Sequence, residues 1–137
     1  MSRINININL ISFDFDFTLS RKSVQLYASN LINRGFDVCI CTSRSGGANR
    51  PYTSVIDNSD LYKVASYLGI TDIYFTEGKD KVETIQKIQP LIHLDDDAVE
   101  LQYINNYTKT YGVSVWKTTS WEAKCNNIIR KSRKPQW

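Results

Sequence analysis

No stretch of this sequence approaches the run of about eighteen apolar residues that a membrane-spanning helix requires, which argues against a chain threaded through a bilayer. Cysteine is scarce: Cys39, Cys41 and Cys125 are an odd number without the spacing of a disulfide framework. Cys39 and Cys41, two apart in a β-rich run, would share one face of a strand and so invite a metal. With His93 the only histidine in the chain, these residue types alone cannot complete a usual structural zinc site. The three thiols are expected to be buried as small apolar side chains. Repeats, low-complexity runs and linkers are also missing. The segment from Met1 to Asn7 alternates apolar and polar residues, where a secretory signal would carry a continuous apolar stretch. The expectation is one domain over residues 1–137 in a cytoplasmic setting, with no membrane partner.

What is present is an ordinary globular mixture, 42% hydrophobic and 23% charged, unlike a disordered chain. The net charge of +3 is unevenly spread. Residues 117–137, the basic C-terminal helix and tail, carry Lys117, Lys124, Arg130, Lys131, Arg133 and Lys134 against Glu122, a net of +5, which leaves −2 for the rest. Short β-rich runs alternate with longer helical ones. Ile4–Phe13 reads as a strand that becomes buried on both faces near its end. Ser20 is placed to cap a helix over Arg21–Arg34, and Gly35 to end it. Val38–Cys41 is a second strand. After the polar loop Ser43–Ser59 come a helix over Asp60–Leu68, a strand over Asp72–Phe75, and a helix over Asp80–Ile88. A strand over Leu91–Leu94, a helix over Ala98–Tyr107, a strand over Val113–Val115 and a helix over Glu122–Lys131 complete the pattern. Such alternation implies an α/β fold in three layers, with a mainly parallel sheet joined by right-handed crossovers. Ligands of such sheets bind beyond the carboxyl ends of the strands.

The residues able to carry chemistry fall at those ends. Asp14-Phe15-Asp16-Phe17-Thr18 follows the first strand, and Thr42-Ser43-Arg44 follows the second. Lys79 and Lys81 flank the start of the third helix, and Asp95-Asp96-Asp97 closes the fourth strand. Three adjacent carboxylates after a buried run are costly unless a cation offsets their repulsion. Asp97 is suited to cap the helix that begins at Ala98. His93, one residue inside the strand end, reads as a core or supporting histidine.

Asp-x-Asp-x-Thr at the end of a first strand resembles the first signature motif of the haloacid dehalogenase-like (HAD) superfamily, and the later motifs follow in that family's order over residues 14–96. The resemblance implies a Rossmann-like sheet and magnesium-dependent hydrolysis of phosphomonoesters through an aspartyl-phosphate. In that scheme Asp14 is the nucleophile, and Asp16 protonates the leaving group and then activates water. Thr42 holds a phosphoryl oxygen, with Ser43 as the competing hydroxyl. A lysine neutralises phosphate and nucleophile, Lys81 being favoured over Lys79. Thr18, Ser43 and Arg44 are candidates for substrate binding. The metal set is Asp14, the backbone carbonyl of Asp16, and Asp95 directly, with Asp96 through water or by orienting the lysine. Phe17 departs from the family, many of whose members have glycine there.

The spacing leaves little room for an inserted cap domain, so the resemblance is to capless members, which act on exposed phosphates or let neighbouring subunits cover the site. The loop Ser43–Ser59, with Arg44 and Arg50, is the alternative cover. The motif style is similar to the phosphatase domains of polynucleotide kinase-phosphatases and to 5′-deoxyribonucleotidases. A nucleotide, a polynucleotide end, a sugar phosphate and a phosphoprotein all stay open as substrates. The basic tail with Trp116, Trp121 and Trp137 reads either as a nucleic-acid contact or as a helix docked on the core. The competing readings are a non-catalytic HAD-like scaffold, a nucleic-acid-binding module, and a phospho-accepting receiver, whose acceptor follows the third strand instead.

Overall fold

Among the described residues five strands and five α-helices alternate, as the hydrophobic pattern requires. The structure, a computed structural model, describes residues 5–47, 57–116 and 120–133. Met1–Ile4, Arg50, Pro51, Lys117, Lys134 and Trp137 lie outside the described residues. The elements are β1 (Asn7–Phe13), α1 (Lys22–Asn33), β2 (Asp37–Thr42), α2 (Ser59–Leu68), β3 (Ile73–Phe75), α3 (Val82–Ile88), β4 (Pro90–Asp95), α4 (Ala98–Tyr107), β5 (Tyr111–Ser114) and α5 (Trp121–Ser132). No helix among the described residues is long and apolar enough to cross a membrane.

All strand pairs are parallel, in the order β3-β2-β1-β4-β5. The chain winds outward from β1 to β3, then returns to the other side of β1 with β4. The carboxyl ends of β1 and β4 therefore form the topological switch point, where a crevice opens in sheets of this kind. Receivers of the CheY type have the order 2-1-3-4-5, so the receiver reading is incompatible with this topology.

The two faces of the sheet are covered differently. A large cluster joins Ile11, Phe13, Ile40, Ile92 and Leu94 to apolar residues of α1, α2 and α5. Each fully buried side chain of this size stabilises the fold by about 1.5–3 kcal/mol. The opposite face is smaller, with Cys41 packed on Ile85 of α3 and Ile104 of α4. Strand alternation turns Ser12 and His93, which are register partners, away from the large cluster. The sheet thus carries a polar line on its α3/α4 face, leading toward the carboxyl ends.

Local details differ from the sequence expectation in two places. Ser20 does not cap α1; its Oγ accepts the N–H of Phe17 (3.1 Å), and Arg21 is the residue that precedes the helix. The fifth strand begins earlier, at Tyr111, since the Gly112 N–H and C=O are both held by the Asn105 side chain (2.8 and 3.3 Å). All three cysteines are free and buried, and burial pushes each thiol up to about 12. They are inert packing groups, as expected.

The last helix is docked by its own aromatic residue. Trp121 packs edge-to-face on Tyr27 of α1 at 5.2 Å, and the Tyr27 hydroxyl donates to Asn126 (2.8 Å). At the far end, the Arg133 guanidinium lies 4.5 Å over Phe36 and donates to Asn9 (2.9 Å). Asn9 is near the amino end of β1, roughly 15 Å by strand rise from the carboxyl end.

Candidate active site

Beyond β1 the chain makes a wide turn over Phe15–Leu19, in which Leu19 N–H returns to Asp14 C=O (3.0 Å) and Ser20 N–H to Phe15 C=O (2.9 Å). Asp16 (ψ 128°) and Phe17 (φ 60°) interrupt any helical path. Asp14 N–H is tied to Leu94 C=O (2.8 Å), which locks the nucleophile candidate to the end of β4. On the other side, the turn after β3 is fastened by Thr76, whose hydroxyl donates to Lys79 C=O (2.7 Å). That turn delivers Lys81 to the start of α3, where its backbone N–H meets Glu100 (3.2 Å).

Three carboxylates converge at the switch point. Oxygens of Asp14, Asp95 and Asp96 lie within 4.8 Å of one another. The Lys81 ammonium bridges two of them, at 2.7 Å from Asp14 and 2.8 Å from Asp95, with all three side chains almost fully buried. The second oxygen of Asp14 accepts the Thr18 hydroxyl (3.1 Å). Behind Asp95 the polar line continues: His93 Nε2 is 2.8 Å from Asp95, and His93 Nδ1 is 2.9 Å from Ser12 Oγ. Burial lowers the His93 pKa, so its ring is neutral. A Ser12 hydroxyl donating to Nδ1 then leaves Nε2–H directed at Asp95.

The charges sort themselves by environment. Burial raises Asp14 to about 8, helped by the neighbouring charge of Asp95 and opposed by Lys81. Burial also works against charge on Asp95, but the His93 hydrogen bond and the Lys81 ammonium outweigh it and hold this carboxyl well below its usual range. Burial alone would depress Lys81; Asp95 and Asp14 outweigh it and keep the ammonium charged. One lysine therefore faces three carboxylates, a deficit of positive charge in a buried place. Hard oxygen donors at this spacing suit a magnesium ion, which needs only one or two carboxylates and retains its waters. Such an ion would be held by Asp14, Asp95 and Asp96. The Asp16 carboxylate is not part of that cluster.

A testable consequence concerns pH. In the metal-free protein folded Asp14 keeps a proton that the unfolded chain releases near its ordinary value of 3.8, so its contribution to stability is lost as pH rises toward about 8. A cation that binds the ionised form removes this loss. The gain in Tm on adding magnesium is expected to be larger near pH 8 than near pH 5; equal gains in thermal melts at the two pH values would contradict it.

Arg44 occupies a place that the sequence does not reveal. Its Nε and one Nη donate to Asp16 (2.9 and 2.7 Å), and both Nη atoms donate to Asp60 of α2 (2.7 and 2.9 Å). The remaining N–H reaches Asn58 (3.3 Å), and the guanidinium lies 5.0 Å over the Phe15 ring. All five donors of the fork are engaged. In this arrangement Arg44 orients Asp16, and gripping phosphate, the role expected from the sequence, would require one of these bonds to open. Hydrogen bonding to Arg44 lowers Asp60 to about 2.

The remaining candidates divide clearly. Thr42 is fully buried and its Oγ accepts Arg44 N–H (3.2 Å), whereas Ser43 lines the cleft. Lys79 is exposed at the cleft wall, while Lys81 reaches the carboxylates. Asp97 caps α4, accepting from Val99 N–H (2.9 Å) and Glu100 N–H (3.3 Å), as its sequence position suggests. The cleft that holds this chemistry is open and measures about 330 Å³. A second cavity of about 340 Å³ lies at the amino ends of the strands, against Ile6, Gln89 and Thr110, away from the acidic cluster.

No family model matches the sequence, and neither does any curated protein. Among solved structures, the chain resembles a Vibrio cholerae protein described as "putative 3-deoxy-D-manno-octulosonate 8-phosphate phosphatase". The TM-score is 0.51 at 16% identity, covering 91% of this chain and 84% of that one. The fold is HAD-like. Within that HAD-like frame the acidic cluster, the bridging lysine and the switch point coincide. Ser12, Asn58, Asp60 and Glu100, which sequence reasoning passed over, are the supporting residues. Their signal is absent from any local motif because each acts across the fold.

Proposed function

We propose that this protein is a magnesium-dependent phosphomonoesterase in which Asp14 is the nucleophile. The observation that carries the reading is the buried Lys81 ammonium shared by Asp14 and Asp95 beside Asp96, at the mouth between β1 and β4. Magnesium, when bound, supplies positive charge that keeps Asp14 ionised and screens the phosphoryl oxygens.

The chain's own residues account for the remaining steps. Thr18 donates to one oxygen of Asp14 and Lys81 to the other, so the carboxylate is fixed in orientation. Asp14 attacks phosphorus, the bond to the leaving oxygen breaks, and Asp16 gives that oxygen its proton. Water, deprotonated by Asp16, then attacks the aspartyl-phosphate, restoring Asp14 and releasing inorganic phosphate. Lys81 neutralises charge on the transferred group throughout. Arg44 is the positioning residue for Asp16, holding it at the rim with its side chain about half exposed.

The screen that tests this reading is hydrolysis of phosphomonoesters with and without chelator. Activity that persists in chelator would overturn the metal dependence, and no activity on any compound would favour a scaffold. A finer prediction concerns Arg44→Ala. It is expected to lower kcat by about tenfold for an alkyl phosphate, whose leaving group needs a proton, and by much less for p-nitrophenyl phosphate. Equal losses on both substrates would assign Arg44 to the fold instead of to Asp16. Arg133 of the basic tail sits near the amino end of β1, bonded to Asn9.

A further inference from the structure

Phe17 is an expensive residue with no structural return. Its φ of 60° and ψ of 9° lie in the left-handed region, which is unfavourable for any side chain with a Cβ. The chain meets a positive φ with glycine at Gly35, Gly47, Gly69 and Gly78; the other non-glycine residues there, Glu77 and Gln89, are polar, so Phe17 is the apolar one among the described residues. The ring is 67% exposed and belongs to neither hydrophobic cluster. Strain and exposed apolar area fall together on one residue, at the wall of the acidic cleft. Outliers of this kind persist where function uses them.

The rest of the cleft wall sharpens the contrast. Its side chains are carboxylates, lysines and Ser43, except for Phe17 and Val99, the latter 57% exposed on the first turn of α4. A phosphoryl group needs the charged part of the wall; an aromatic face has nothing to offer it. We propose that Phe17 is a specificity-determining residue that stacks on a planar ring carried by the leaving group, with Val99 as a second apolar contact at the mouth. The inference rests on the phosphatase reading and narrows its substrate class to phosphomonoesters bearing an aryl ring or a nucleobase, against polyol phosphates. Stacking is sequence-tolerant and geometry-tolerant, so one exposed ring suffices to set such a preference.

The test uses binding, so that it stands apart from turnover. For the aryl source, phenylphosphonate and methylphosphonate are titrated calorimetrically into the magnesium-loaded full-length protein. For the nucleobase source, adenosine 5′-monophosphate and ribose 5-phosphate are titrated into the Asp14→Asn protein, which should not consume them. The ring-bearing ligand is expected to bind about tenfold tighter in at least one arm. Phe17→Asn, which suits a left-handed turn but has no ring, should bring that ratio close to one, and Phe17→Tyr should retain it. Equal affinities in both arms, a preference that survives Phe17→Asn, or no binding of any ligand would overturn the inference. A ring preference in a protein that hydrolyses no phosphomonoester would sink the phosphatase reading, and with it the leaving-group role, and leave Phe17 as a ring-binding residue alone. Hydrolysis without a ring preference would do the reverse.

Discussion

Asp14→Asn is expected to abolish turnover, lowering kcat by about ten-thousandfold or more, because the amide cannot form the bond to phosphorus. The same substitution should leave the fold at least as stable. Asp14 is a buried carboxyl raised to about 8 by burial, so stability is lost as pH rises from its ordinary value of 3.8 toward about 8, and an uncharged isostere avoids that cost. Lys81 keeps Asp95 as its partner at 2.8 Å. A loss of activity accompanied by an unchanged or higher Tm therefore separates chemistry from folding. Retained activity would remove Asp14 from the mechanism.

Lys81→Met should produce the largest combined effect. Removing the ammonium takes the charged partner from the buried, ionised Asp95, which keeps only hydrogen bonds such as that of His93, a situation that typically costs about 3–5 kcal/mol. Turnover should fall by about a thousandfold, since charge on the transferred phosphoryl loses its fixed partner. Magnesium can stand in for the missing charge in the folded state but not for the lysine's place beside phosphate. The variant is thus expected to gain more Tm from magnesium than the wild type while staying inactive. If Lys79→Met had these effects and Lys81→Met did not, the assignment between the two lysines would be reversed.

The sequence made the layout legible because each strand and helix obeyed its own period. The apolar spacing of Val24, Tyr27, Leu31 and Ile32 survives in the structure, and β1 is buried on both faces toward its end, although Ile8 near its start is exposed. Since the sheet is parallel, every motif that follows a strand arrives at the same edge, and Asp14 and Asp95 meet as expected. Lys81 was favoured over Lys79 on resemblance alone, and the geometry brings Lys81 to Asp14 and Asp95. The Thr76-to-Lys79 turn decides which of the two ammonium groups points inward, and no sequence period encodes a turn's aim.

The surroundings of Arg44 were hidden for a related reason. An arginine after a strand end looks available for phosphate, yet Asp60, sixteen positions later, closes its fork through the docking of α2. Trp121 shows the converse: it is docked because Tyr27 offers it an edge-to-face partner from another helix, while Trp116 stays half exposed. Phe17 was visible as a departure from glycine, but only the backbone angles reveal that the departure is strained.

The most direct test of the central claim is to look for the phosphoryl group on the protein. In Asp16→Asn the second step should stall, because water loses its base, while a good leaving group such as p-nitrophenol still departs without an acid. Magnesium-loaded Asp16→Asn protein, mixed with p-nitrophenyl phosphate and quenched in acid, would be digested and analysed by mass spectrometry. The account predicts close to one phosphoryl group per chain, on the peptide that carries Asp14, with a matching burst of p-nitrophenol. A burst with unmodified protein, or a phosphoryl group on another residue, would contradict it.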